Sequence, residues 1–174
     1  MLEVLKIIFP NANPTKIIVD FEIAAINAFH AQFPLADIKG CYFHLSQAII
    51  RNVGSIGSKK KFECLPSFNL KIRSLAALAF VPINEVAEVF TLLCDTFDDA
   101  PECNQLLQYF ESTYIRGPQV GSRPREARFP PRLWNYAKEI KIMPSAPRTT
   151  NAVEGFHNAL QECSDANIRV YGVC

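Results

Sequence analysis

The residue with the clearest capacity for chemistry is Asp20, which closes the short β-branched run TKIIVD at positions 15–20. Such a run predicts a buried strand, and an acid at the carboxyl end of a parallel strand lies where α/β sheets place their ligands. A second acid, Glu154, stands in the closing segment NAVEGF. If the two carboxylates converge, their oxygens suit Mg²⁺ or Mn²⁺, the ions used in two-metal phosphoryl transfer.

Each of these acids also has a purely structural interpretation. Asp20 precedes the apolar helical pattern of residues 22–33, so its side chain could cap that helix, with Glu22 as a first-turn acid that favours the helix dipole. Asn151 and Glu154 have the spacing of a capping box, in which the acid reaches back to the cap residue. The residues alone leave the catalytic and the capping interpretations open.

Cys41 and His44 form a C-x-x-H pair at a predicted strand-to-helix junction. Two ligands are half of a structural zinc site, which needs four. His157 and Cys163 could complete it, but their spacing is not that of a zinc finger, so zinc is not expected. The alternative is a buried histidine that is satisfied by a backbone partner.

Basic side chains cluster in two places, although the formal net charge of the whole chain is only +1. Guanidinium groups bind phosphate well, so contact with DNA is one interpretation of these clusters. An ordinary solvated surface is the other. The first cluster, in the proline-rich segment 116–134, is Arg116, Arg123, Arg125, Arg128 and Arg132 against Glu126, and the second is Lys59, Lys60 and Lys61.

The elements that must position these residues begin in the order strand, helix, strand, helix, which implies a mostly parallel, covered sheet and an α/β fold. A polar, flexible connection is then predicted, followed by helices, with Pro82 and Pro101 at helix starts. The predicted strands are 15–20 and 38–43, the connection is 54–61, and the helices are 22–33, 44–53, 69–80, 83–97, 101–115 and about 151–163.

Composition limits the class of protein. The 174 residues are 49% hydrophobic and 20% charged, which supplies a core and argues against disorder. Six cysteines form no C-x-x-C pair and no secretory signal is recognisable, so we expect reduced thiols in an intracellular protein. The apolar segment 75–81 is too short for a transmembrane helix, and no membrane contact is expected.

Taken together, several segments of the chain resemble one family. They are TKIIVDFEIAAINAFHAQFPLADIKGCYFHLSQAI, LAALAFVPINEVAEVF, FPPRLWN and RTTNAVEGFHNAL, and in this order they resemble the transposase domain of Mutator-like elements (MULE). The resemblance covers nearly all of residues 5–163. It implies a ribonuclease-H-like core with a DDE triad of acids, interrupted by a helical insertion.

The resemblance also implies roles for individual residues. Asp20 matches the second acid of the triad and Glu154 the third, so both are implied metal ligands and catalytic residues. Such a core binds Mg or Mn and cleaves and joins DNA at the terminal inverted repeats of its element, in the nucleus. The implied neighbours of the active site are Cys41 and His44, from the family's C/D-x-x-H motif, together with Asn151 and His157.

The predicted organisation has three parts. Residues 1–55 belong to the ribonuclease-H-like core and carry its second acid. Residues 62–145 form the helical insertion, which includes the basic segment 116–134. Residues 146–163 return to the core as its final helix and carry the third acid.

The chain departs from the family pattern at the first acid of the triad. That acid belongs on an earlier strand, yet residues 1–19 contain no Asp and only Glu3 as an acid. We therefore expect the C-terminal part of a transposase core, inactive alone, that needs a longer chain or a second copy for its missing strands. The alternatives are a host-adopted or decaying DNA- or protein-binding remnant, and a helical interaction module over residues 65–145.

Overall fold

The structure is a computed structural model that describes residues 12–98, 100–120, 123–142 and 148–149. Two short strands, β1 (Lys16–Val19) and β2 (Asp37–Gly40), pair in parallel. The helix α1 (Ile23–Gln32) connects them, as a parallel pair requires a crossover. The register sets Val19 opposite Gly40, so the carboxyl ends of both strands lie at one edge.

Helices make up most of the described chain. After α1 they are α2 (Tyr42–Ser55), α3 (Lys59–Cys64), α4 (Pro66–Ala77), α5 (Val86–Cys94), α6 (Pro101–Phe110), α7 (Pro131–Trp134) and α8 (Ala137–Ile142). A 3₁₀ turn (Leu78–Phe80) follows α4, and a π-helical turn (Glu111–Ile115) follows α6. None of the helices in the described ranges combines the length and the apolar character that crossing a bilayer requires.

The predicted α/β class and the parallel pairing are confirmed. The second strand is shorter than predicted, because it ends at Gly40 and α2 already begins at Tyr42. Cys41 stands between them as the extended N-cap residue of α2. The aromatic run at 42–43 favours a strand by propensity, yet it forms the first turn of a helix whose apolar face is buried.

The predicted flexible connection at 54–61 is wrong. The helix α2 continues to Ser55, and α3 begins at Lys59. Gly57 reverses the chain between them with a φ of +78°, a conformation that glycine adopts without strain. The polar composition therefore marked a tight turn between two helices.

Two further predictions about local structure are corrected. Pro82 does not begin a helix, because α5 starts at Val86, whereas Pro101 does stand in the first turn of α6. The segment 116–134 is not irregular throughout. It contains the antiparallel pair β3 (Gln119–Val120) and β4 (Arg123–Pro124), and it ends in α7.

One hydrophobic core joins the sheet to the helical segments. Val19 and Ile38 of the sheet belong to the same buried cluster as the apolar face of α2 and the aromatic residues near α7. The helices predicted as an insertion thus share their core with the two strands. The largest side chains in that core are Trp134, Tyr114, Tyr136 and Phe110, each with at most 1% of its surface exposed.

The segments LAFVP and FPPRLWN, distant in sequence, meet in this core. The side-chain amide of Asn135 donates a hydrogen bond to the carbonyl of Val81 (2.7 Å), and the backbone N–H of Tyr136 donates to the carbonyl of Ala79 (2.6 Å). The Tyr136 hydroxyl donates to the carbonyl of Gly40 at the end of β2 (2.7 Å). These bonds fix the helical segments to the edge of the sheet that carries Asp20.

Candidate functional site

Asp20 lies at the carboxyl end of the parallel pair. It directly follows β1, and the backbone N–H of Cys41 donates to the carbonyl of Val19 (2.8 Å), which extends the pairing by one step. Asp20 and Cys41 therefore lie next to each other at the same edge. The Asp20 side chain is 59% exposed, so its carboxylate is accessible to a ligand.

The start of α2 brings His44 onto this carboxylate. Nδ1 of His44 lies 2.8 Å from Oδ1 of Asp20, and the His44 side chain is only 23% exposed. The contact is an ion-pair distance, and the negative charge of a carboxylate this close to Nδ1 favours the tautomer with its proton on that nitrogen. In that tautomer, Nε2 carries the lone pair. The pair can act as an oriented acid–base or ligand unit at the edge of the sheet.

The capping interpretation of Asp20 is not what the structure has. The N-cap residue of α1 is Glu22, and no side chain caps this helix. Asp20 contributes its backbone carbonyl instead, which accepts a hydrogen bond from the N–H of Glu22 (2.8 Å). The carboxylate of Asp20 is thus directed to His44 rather than to the helix.

Cys41 has a different environment from its motif partner. Its residue surface is 0% exposed, and it occupies the N-cap position of α2 between the strand edge and the helix. It is buried in the fold beside Asp20, whereas His44 reaches the surface. The two residues of the C-x-x-H motif therefore face different surroundings.

A surface pocket of about 530 Å³ opens over the Asp20–His44 pair, and we call it the Asp20 pocket. One wall is the face of α2 that carries His44, Ala48 and Arg51, at the i, i+4 and i+7 spacing of a helix face. Another wall is Arg128 from the basic segment. Acidic and basic side chains thus face the same space.

The third wall comes from the end of α6 and the π-helical turn, through Tyr109, Thr113 and Tyr114. π-helical turns occur frequently at functional sites because they shift the direction of the side chains that follow. Burial, together with a contact from the Tyr109 hydroxyl 3.5 Å away, raises the pKa of Tyr114 well above its usual value. Tyr114 is therefore a neutral part of the wall.

Aromatic packing holds the strand end that carries Asp20. The ring of Phe21 packs edge-on against Tyr114 (5.6 Å between centroids) and Phe129 (5.1 Å). A Cβ atom at Gly40 would lie 2.6 Å from the Phe21 ring, so only glycine fits opposite it. The position of Asp20 depends on this contact between the two strands.

Within the part of the chain that the structure describes, two arginines of the basic segment pair with a carboxylate and two others do not. Arg132 binds both carboxylate oxygens of Glu126, and Arg116 pairs with Glu111. Because these two guanidinium groups already bind carboxylates, they are weaker candidates for binding phosphate. Arg125 is exposed, and Arg128 is exposed and borders the Asp20 pocket, stacking over Phe129 at 5.4 Å. Arg123 lies in β4, and its side chain is outside the described part of the structure.

The lysine cluster lies away from the Asp20 pocket. It begins α3, beyond the far end of α2, and a helix of 14 residues is about 20 Å long. Lys61 faces Asp98 (3.6 Å) and Glu102 (3.9 Å), and Lys59 faces Glu63 (3.9 Å). Lys60 is exposed. These lysines do not belong to the same site as Asp20.

Three predicted site residues, Asn151, Glu154 and His157, lie outside the described residues. Arg148, shortly before them, is described: its carbonyl accepts a hydrogen bond from the N–H of Tyr42 (2.9 Å) at the start of α2. In the described part of the chain, no three His, Cys, Asp or Glu side chains come together as a metal site.

The residues of the pocket wall that sequence reasoning missed include Arg51, Tyr109 and Thr113. Arg51 could have been found, because it stands seven residues after His44 on a predicted helix and therefore on the same face. Tyr109 and Thr113 carried no such signal, since only the tertiary packing of α6 and its π-helical turn brings them to Asp20.

Comparison of the chain with protein-family models, with curated proteins and with solved structures gives no match. The chemistry of the Asp20 pocket and the ordered motifs are therefore what a functional argument can use.

Proposed function

We propose that this chain is part of a DDE-type transposase catalytic domain of the Mutator-like kind, with the Asp20 pocket as its contribution to the site of phosphoryl transfer on DNA. The observation that carries the proposal is the Asp20–His44 pair at the carboxyl end of a parallel strand pair, facing Arg51 and Arg128 across one pocket. A carboxylate that can bind a metal ion and cations that can bind phosphate are groups that phosphoryl transfer uses.

The residues of the pocket fit a divalent metal in part. The carboxylate of Asp20 is exposed, and Glu22 lines the same pocket, so two acids offer the oxygen ligands that Mg²⁺ and Mn²⁺ prefer. When bound, such an ion supplies the Lewis acidity that assists attack on phosphorus. Arg148, six positions before Glu154 in the sequence, is bound at the start of α2 next to Cys41, which supports a return of the chain to this edge.

The chain's own residues then have distinct tasks. His44, held by Asp20, brings its imidazole to the pocket, where the ring can exchange a proton with a bound phosphodiester. Arg128 and Arg51 neutralise the phosphodiester and fix its position. The neutral walls, Tyr114 and Phe129, restrict water on the remaining side.

Binding of Mn²⁺ to the full chain tests this proposal, measured by the electron paramagnetic resonance signal of the free ion. We expect saturable binding that Asp20→Asn weakens at least tenfold, whereas Asp98→Asn, a carboxylate outside the pocket, leaves it unchanged. Equal binding by wild type and Asp20→Asn would contradict the metal-ligand role.

We expect no nicking of supercoiled DNA by this chain alone with either ion, because the residues that match the family supply two of three carboxylates. Robust nicking that Asp20→Asn abolishes would contradict that expectation and would make the chain an active nuclease.

A second candidate function is DNA binding without cleavage, as in a host-adopted remnant. It is favoured by the two exposed arginines that face the pocket, Arg51 and Arg128. Replacing Arg51 and Arg128 by Ala should weaken DNA binding and flatten its dependence on salt. Arg73→Ala, at an exposed arginine of α4 that does not line the Asp20 pocket, is the matched control.

A further inference from the structure

A second pocket, of about 360 Å³, lies beside the Asp20 pocket, and we call it the α1 pocket. One face of α1 lines it with Ile23, Asn27 and His30, and the start of β2 closes the opposite side. The two pockets share Arg128 and Phe129. Arg128 therefore stands on the ridge between them, where one guanidinium can serve a ligand that occupies both.

The lining of the α1 pocket is apolar inside and polar at its rim. Ile26, Ile38 and Leu133 are each at most 8% exposed and form its floor. Asn27 and His30 are exposed at the rim and offer both donors and acceptors. The floor suits a flat apolar face, and the rim suits polar edges.

The charges at this rim nearly cancel. Arg132 and Glu126 bind each other in a two-bond pair, and the other charged side chains that line the pocket are Asp37, which is acidic, and Arg128, which is basic. A phosphate would gain little from such a rim, because it would meet as much negative as positive charge. An uncharged ligand with donors and acceptors on its edge fits better.

We propose that the α1 pocket binds a nucleobase of the DNA strand whose phosphate lies in the Asp20 pocket, with Arg128 contacting the backbone between them. This inference rests on the proposed function. The pocket has the volume and the mixture of apolar and polar groups that small heterocycles require. Asn27 can bind the edge of a base in two-bond fashion, as amide side chains do.

The spacing of the two pockets suits neighbouring nucleotides. Asp37, at one end of β2, lines the α1 pocket, and the other end of β2 lies at the edge that carries Asp20. A strand of four residues spans about 10 Å. A single strand that crosses Arg128 can therefore fill both pockets at once, and the bound base would set the register of the phosphate at Asp20.

The test compares two single-stranded oligonucleotides of equal length and charge, one of thymidine and one in which every base is absent. Affinity of the full chain for each is measured by fluorescence anisotropy at fixed salt. Asn27→Leu replaces the amide at the rim of the α1 pocket by an apolar side chain of similar length, and Ala24→Leu adds an apolar side chain on the same helix at an exposed position that lines neither pocket.

We expect wild type and Ala24→Leu to bind the thymidine oligonucleotide at least about fivefold more tightly than the abasic one. In Asn27→Leu this ratio should fall towards one, while Arg128→Ala should weaken binding of both oligonucleotides by a similar factor. Equal wild-type affinity for both oligonucleotides, or an unchanged ratio in Asn27→Leu, would overturn the base pocket and leave the proposed function standing. Absence of any DNA binding would overturn both.

Discussion

Asp20 and His44 meet with Oδ1 2.8 Å from Nδ1, although a helix and a strand separate them in sequence. The contact follows from the parallel register: Val19 lies opposite Gly40, so the residue after β1 faces the first turn after β2. The contact between Asp20 and His44 thus depends on the pairing of the two strands and not on the conformation of a long loop. The sheet edge therefore presents the pair in a fixed arrangement before any ligand binds.

This contact predicts the tautomer of His44. Because the negative carboxylate of Asp20 lies 2.8 Å from Nδ1, the neutral ring should carry its proton on that nitrogen. Two-bond ¹H–¹⁵N spectra of the ring measure this directly at neutral pH. In Asp20→Ala we expect a shift towards the mixture of tautomers seen for solvent-exposed histidines, with His30, exposed on α1, as the internal reference. A wild-type ring protonated on Nε2 would contradict the contact.

The close approach of Gly40 and Phe21 predicts a stability effect. Gly40→Ala sets a Cβ atom 2.6 Å from the Phe21 ring, which itself is held by Tyr114 and Phe129 and cannot retreat freely. Overpacking of this kind lowers the free energy of unfolding by about 1–3 kcal/mol.

Urea unfolding measures the change, and Gly54→Ala is the matched control. Gly54 lies inside α2 with no atom within 4 Å of an added Cβ, so alanine there should raise stability by roughly 0.5–1 kcal/mol. Equal stability of Gly40→Ala and wild type would mean that Phe21 is not confined by the second strand.

The part of the fold that local patterns determine was predictable. The strand at 15–20 and the helix at 22–33 agree closely with β1 and α1, because a run of β-branched residues and helical spacing are properties of neighbouring residues. The order of elements also implied the parallel pairing, which is observed. That pairing is what brings His44 to Asp20.

What depends on distant contacts was not predictable. The start of α2 at Tyr42 is set by the end of β2 and by the hydrogen bond between Tyr42 N–H and the carbonyl of Arg148. Arg132 pairs with Glu126, and Lys61 pairs with Asp98 and Glu102. Each basic cluster therefore has a member whose charge is already matched by an acid. Charge counts along the sequence cannot distinguish a paired arginine from one that faces a ligand.

The hydroxyl of Tyr136 predicts a second effect on stability. It donates to the carbonyl of Gly40 in a buried environment, and burial raises the pKa of this phenol well above its usual value. Tyr136→Phe leaves that carbonyl without its donor and should lower the free energy of unfolding by about 1–3 kcal/mol.

Tyr109→Phe is the control for the loss of a tyrosine hydroxyl. Tyr109 is partly buried, and its hydroxyl makes only a 3.5 Å contact with Tyr114, so its removal should change stability by less than about 0.5 kcal/mol. Thermal unfolding of both variants provides the comparison. A larger loss in Tyr109→Phe than in Tyr136→Phe would contradict the role of Tyr136 in fixing the end of β2.

Glu139 predicts how stability depends on pH. Burial alone raises the pKa of this carboxyl, but the hydrogen bond from its backbone and the positive charges of Lys39 (3.2 Å) and Lys16 (3.6 Å) outweigh burial. The net effect is a pKa below the ordinary value of 4.5. Because the folded-state pKa is the lower one, the ionised carboxylate stabilises the fold above pH 4.5, and this contribution disappears as the pH falls through the folded pKa.

Glu139→Gln should therefore lower stability at pH 7 by roughly 1 kcal/mol, since the carboxylate joins α8 to both strands through Lys16 and Lys39. The difference between wild type and variant should shrink as the pH is lowered below 4.5.

Glu63→Gln, an exposed carboxylate 3.9 Å from Lys59, should show almost no difference at any pH. Urea unfolding of wild type and both variants between pH 3 and 7 measures the free energy of unfolding at each pH, and the expected difference is about 1 kcal/mol. A Glu139→Gln deficit that stays constant down to pH 3 would mean that this carboxylate does not hold α8 to the sheet through its charge.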